Sequence, residues 1–86
     1  MTLRELLNEM PNKKSHVVLI ARYLDKDGFT SDFYYHGCAV KVRTLEKCLP
    51  DAIKDKTVMH NFTSKDYGTD IDGKIVEVAS IIVIEF

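Results

Sequence analysis

"KIVEVASIIVIEF", residues 74–86, is the stretch on which the fold turns. Alternate side chains of a strand point to opposite faces. Val76, Val78, Ile82, Ile84 and Phe86 therefore fall on one face, and Ile75, Ala79, Ile81 and Val83 on the other. A strand apolar on both faces is an aggregation hazard at a sheet edge. It must lie inside the sheet or pair with a second copy of the chain. "HVVLIARYL", 16–24, has the same β-branched and aromatic character and also reads as an internal strand.

The surrounding segments fill in the sheet. "DKDGFTSD", 25–32, is a turn cluster in which Asp27-Gly28 is a hairpin signal, since both residues tolerate positive φ. "FYYHGCAVKVR", 33–43, then reads as the return strand. In that strand Tyr34, His36, Cys38, Val40 and Val42 share one face, and Phe33, Tyr35, Ala39, Lys41 and Arg43 share the other, with Gly37 marking a bulge or bend. "TVMHNFTS", 57–64, is a third strand with Val58, His60 and Phe62 on one face, and "KDYGTDIDG", 65–73, is a second turn cluster.

Helical signals stand at two places. Thr2 and Glu5 have capping-box spacing, and Leu3, Leu6, Leu7 and Met10 recur on one helical face before Pro11 ends the run. This predicts a helix over 3–10. Two turns are not stable alone in water, so this helix must pack on the sheet. "TLEKCLPDAIKDK", 44–56, predicts two short helical turns, with Thr44 capping the first and Pro50 opening the second. The expected fold is α+β, in the order α-β-β-α-β-β: one domain over 1–86, an antiparallel four-stranded sheet with helical cover on one face.

Bulk properties limit the function. The chain has 86 residues, 45% hydrophobic and 29% charged, the composition of an ordinary globular domain. A chain of this size buries only about 60–65% of the surface its unfolded form exposes, so its core is thin. Formal net charge is −1; residues 1–43 carry seven Lys/Arg and five Asp/Glu (net +2), and residues 44–86 five and eight (net −3). Neither half has the basic field that phosphate-backbone binding needs, which disfavours nucleic acid as partner. The N-terminus lacks the unbroken apolar run of a signal peptide, and no segment has the length to span a bilayer. The expected address is the cytosol, with no membrane contact, and there the two cysteines are free thiols. Asn61-Phe62-Thr63 matches the glycosylation pattern by chance.

His36, Cys38, Cys48 and His60 are residue types that bind zinc. The chain lacks the paired C-x₂-C spacing of structural zinc sites, and free cysteine is among the most buried residue types. The four are expected to be packing residues, with no metal, cofactor or catalytic thiol. His36 and Cys38 would stand about 7 Å apart along a strand, too far for one to activate the other. Asp25 to Gly28 and Asp70 to Gly73 echo calcium loops but lack the full ligand set, and read as hairpin turns. Phe29, Phe33, Tyr34, Tyr35, Lys41 and Arg43 would suit base stacking on a sheet, yet no RNA-recognition motif accompanies them.

"TLRELLNEMP", the "DKDG" turn, "FYYHG", "LPDAIKDKTV" and "IIVIEF" together resemble very short α+β proteins carried by phages and mobile elements of Firmicutes. The longer "CAVKVR" and the "KDYGTDIDG" insert depart from that pattern. The resemblance carries no functional residue across. It implies a non-enzymatic protein that binds another protein, as do the inhibitors of host defence, anti-CRISPR proteins included, found in such neighbourhoods. Phe33, Tyr35, Lys41 and Arg43 are the expected contact rim, because aromatics and Arg dominate binding hot spots, with strand pairing at a sheet edge as the second mode and the route to a homodimer. The competing readings are a nucleic-acid binder on the same rim and a zinc module on His36, Cys38, Cys48 and His60.

Overall fold

The structure is a computed structural model and describes residues 1–85. The chain runs α1 (Leu3–Glu9), β1 (His16–Asp25), β2 (Gly28–Phe33), a 3₁₀ turn (Tyr34–Gly37), β3 (Val40–Lys41), α2 (Val42–Cys48), α3 (Asp51–Lys54), β4 (Val58–Thr63), β5 (Tyr67–Thr69) and β6 (Ile75–Glu85). The architecture is α+β with a mixed sheet. Strand order is β2-β1-β6-β4, with β3 also on β1 and β5 also on β6.

β6 lies inside the sheet, flanked by β1 and β4, as its two apolar faces require. Phe86, expected on the same face as Ile82 and Ile84, lies outside the described residues. The sheet is not wholly antiparallel. β1 and β6 run parallel, with Val17, Leu19 and Ala21 opposite Ser80, Ile82 and Ile84. Parallel neighbours need a long crossover, and the whole chain from β2 to β5 supplies it. All other named strand pairs are antiparallel.

One face of the sheet carries the core. Val17 and Leu19 of β1 and Ile82 and Ile84 of β6 pack with Leu3, Leu6 and Leu7 of α1, Val42 and Leu45 of α2, and Leu49. The capping box forms: the Glu5 backbone N–H donates to Thr2 Oγ1 at 3.2 Å, and the Thr2 backbone N–H donates to Glu5 Oε1 at 3.0 Å. α1 is tied to the crossover by Leu3 N–H donating to the Lys56 carbonyl and Val58 N–H donating to the Met1 carbonyl, both at 2.9 Å. Arg4 bridges to Asp51 and Asp55 of the α3 region, each at 3.1 Å. These exposed pairs orient α1 more than they stabilise it.

The return strand is interrupted. β2 pairs with β1 from Gly28 opposite Asp25 to Phe33 opposite Ile20, and β3 resumes with Val40 opposite Val17. Residues 34–39 thus stand against only Val18 and Leu19. Tyr35 (φ 52°), His36 (φ 55°) and Gly37 (φ 82°) turn left-handed in succession, and Tyr34 and Tyr35 fold down onto the core. Two non-glycine residues in this region cost roughly 1–2 kcal/mol each. Half-burying two tyrosine rings returns about 4 kcal/mol at 25 cal/mol per Å² of apolar surface, enough to hold the turn. Residues 34–39 therefore leave the predicted strand and do not alternate along it, Val40 and Lys41 alternate as β3, and Val42 already belongs to α2. Gly37 does mark the bend.

Smaller departures have local causes. The turn expected over 25–32 shrinks to Lys26-Asp27, since Asp25 pairs with Gly28 and the following residues join β2. The cluster at 65–73 contains β5, and its turn is closed by Gly73 N–H donating to the Asp70 carbonyl at 3.1 Å. α2 begins at Val42, capped by Lys41, two residues before Thr44. Pro50 caps α3 as expected. In β4 the register shifts between Val58 and His60, so Val58 faces Ile84 while His60 faces Val83. Val58 packs on the core and does not share a face with His60 and Phe62.

Ile82→Ala is expected to cost about 2–5 kcal/mol by chemical denaturation, whereas Ile81→Ala, one residue away on the other face, costs under about 1.5 kcal/mol. Arg4 holds the Asp51 carboxyl below its ordinary pKa, and the Lys74 backbone N–H does the same to Asp70. Carboxyls depressed in the folded state stabilise above their unfolded pKa and lose that contribution as pH falls through the folded value. Melting temperature should therefore fall on acidification below the normal carboxylate range, and Asp70→Asn should flatten the fall.

Candidate protein-interaction face

The second face of the sheet has no helix on it among the described residues. Cross-strand neighbours define its rows. Phe33, Ile20, Val83 and His60 form one row across all four strands, and Val18, Ile81 and Phe62 form the next. Leu24 and Phe29 pair at the far end of the β1–β2 hairpin, where Arg22 stacks 4.3 Å above the centre of the Phe29 ring. His60 stacks on Phe62 at 5.4 Å. Leu24 (71%), Phe29 (58%), Phe33 (58%) and Phe62 (53%) are largely exposed, while Ile82 and Ile84 on the covered face have no exposure.

Four strands about 4.8 Å apart and six residues at about 3.3 Å give this face a footprint of roughly 19 by 20 Å. That is in the range of the largest apolar patch a monomer normally leaves in water, and such patches mark interaction sites. Titratable groups on it are few. Arg22 is engaged by Phe29, and Glu85, opposite Arg22, is exposed at the end of β6.

The expected rim of Phe33, Tyr35, Lys41 and Arg43 does not assemble. Phe33 stands opposite Ile20 and Lys41 opposite His16, four residues away along β1, or roughly 13 Å. Tyr35 packs against the core, and burial pushes its hydroxyl pKa up. Arg43 lies in the first turn of α2, its backbone N–H donating to the Lys13 carbonyl at 3.0 Å. Of the four, only Phe33 belongs to the open face. Sequence alternation does not single out Leu24 and Phe62 as a contact surface, and it offers Phe29 only for base stacking. The signal for them was present: two strands apolar on both faces, and helical sequence for a single covering layer.

The imidazoles and thiols are not interior filler. His36, Cys48 and His60 are exposed and Cys38 is half-buried. His36 sits at the tip of the left-handed turn and His60 on the open face. Cys38 caps the turn that holds His36 and Cys48 ends α2, so the four are spread over three elements. Among the described residues no three His, Cys, Asp or Glu side chains are placed to hold a metal ion, and no helix is long and apolar enough to cross a membrane. Comparison of the chain with protein-family models, curated proteins and solved structures returns no match.

Gly37→Ala places a Cβ at φ 82° and should lower stability by about 1–2 kcal/mol. His36→Gly removes an exposed side chain from the same turn and should raise stability by about 0.5–1 kcal/mol once glycine's greater entropy is counted. Paired urea melts of the two variants check both signs.

Proposed function

We propose that the chain is a non-enzymatic interaction module that binds another protein through the uncovered face of its sheet. The observation that carries this reading is the single helical layer. A mostly antiparallel sheet commonly leaves one face to water, and that face is then polar. Here Phe29, Phe33, Phe62 and Leu24 stand where the second layer would lie. Aromatic side chains on a rigid sheet are the residues that concentrate binding energy when a partner excludes water from them. The resemblance to short phage and mobile-element proteins makes a host protein, including a defence protein, the first class of partner to test. The protein acts in the cytosol on this reading, and the free edges of β2 and β4 offer a second copy a place to pair.

A nucleic-acid reading would use the same sheet aromatics, but it lacks a cationic field. Lys41 and Arg43 lie off the face, and Arg22 on it is taken up by Phe29. Charge therefore favours a protein.

The test is affinity capture from the native host, with the Phe29→Ser/Phe62→Ser double variant as matched control. A specific host protein retained by the wild type and lost by the variant, at an unchanged melting temperature, is the expected result. Salt-dependent retention of nucleic acid, abolished by Lys41→Ala with Arg43→Ala, overturns it. Light scattering on the free chain separates a self-association that uses the same phenylalanines.

A further inference from the structure

A groove of about 430 Å³, lined by Ala21, Tyr23, Asp32, Phe33 and Tyr34, opens on the side of the sheet that carries the helices. Its volume lies in the range of small-ligand sites. Each wall has a structural origin. Ala21 and Asp32 are directly opposite in the β1–β2 ladder, so the small alanine leaves a floor between larger neighbours. Tyr23 is two residues along on the same face, and its hydroxyl donates to Asp32 Oδ2 at 2.9 Å. Phe33 ends β2, and Tyr34 begins the left-handed turn with its ring 5.7 Å from that of Tyr35. The turn that interrupts the return strand thus sets the second aromatic wall.

We infer that this groove binds an alkylated ammonium head, with the rings of Tyr23 and Tyr34 as its walls, Phe33 at its border and the Asp32 carboxylate as its counter-charge. Aromatic faces attract a cation through their quadrupoles, and a bulky, weakly hydrated ammonium gives up its water most readily to such a site. The lining is mostly apolar, with one carboxylate and no basic residue. Two other grooves differ. One of about 280 Å³ beside β3 mixes Lys41 and Lys74 with Asp70 and Asp72, and one of about 520 Å³ beside the start of β1 sets Lys14 and His16 against Glu77, so neither selects a charge. Asp25 adds to the negative field at the groove: the Tyr23 hydroxyl is held protonated above its ordinary range, first by its hydrogen bond to Asp32 and in smaller part by the charge of Asp25. The inference does not depend on the interaction face, although Phe33 borders both.

The ligand's chemistry has two sources: a free quaternary amine, or a methylated lysine on a partner chain. Backbone amide shifts followed by NMR during titration with choline chloride test the site. The tert-butyl analogue of choline, with carbon in place of nitrogen, is the neutral control. A short trimethyllysine peptide and its unmodified counterpart form the second pair of probes. Shifts confined to residues 21–23 and 32–34, saturating at millimolar choline and absent with the neutral analogue, are expected. Asp32→Asn, an exposed substitution, should weaken choline about five- to tenfold, the scale of one near-surface charge interaction. Tyr23→Leu should abolish binding at an unchanged fold. Tighter binding of the trimethyllysine peptide than of choline assigns the source to a partner chain, and equal binding assigns it to the free amine. Equal shifts with the neutral analogue, or no localised shifts with any probe, overturn the inference.

Discussion

The parallel pairing of β1 with β6 is the contact on which the rest depends. Val17 to Arg22 run alongside Ser80 to Glu85, joining the beginning and the end of the chain. Both strands are apolar on both sides, so each removes the other from the sheet edge. Loop closure over such a separation is entropically costly, and only a large apolar return offsets it. That return comes from Leu19, Ile82 and Ile84, buried under the leucines of α1 and α2. Remove the pairing and α1 loses the surface that lets a two-turn helix exist.

The crossover that parallel strands require then organises everything between them. It must leave β1, cover one face of the sheet and come back to the far side of β6. The hairpin to β2 and β3 uses one flank of β1, and α2 and α3 lie over the core. β4 and β5 close the other flank. Among the described residues the helices of the crossover pack on one face only, and the phenylalanines stand on the other.

The left-handed turn at Tyr35 to Gly37 links the two halves of the argument. It exists because the tyrosines are worth more against the core than in line along the strand. By turning there the chain also brings Tyr34 to the groove that Ala21, Tyr23 and Asp32 line. The same detour carries His36 out to solvent and leaves Cys38 half-buried, dispersing residues whose spacing alone suggested a shared face.

The amino-acid order determined what is local. The Thr2–Glu5 capping box, the stop at Pro11, the Asp27-Gly28 hairpin, the cap at Pro50 and the double-sided character of β6 are each set by residues within a few positions of one another. Propensity and periodicity act at that range. Tertiary structure alone decided the rest. Nothing near Ile81 specifies that its strand runs parallel to β1. The extra residue in β4 that parts Val58 from His60 is invisible without the partner strand. Tyr34 and Tyr35 leave the strand only because a distant core of leucines, isoleucines and valines is there to receive them. Pairing direction, bulges and the choice of exposed face depend on burial summed over elements far apart in sequence, and a two-residue alternation carries no record of which side the helices will cover.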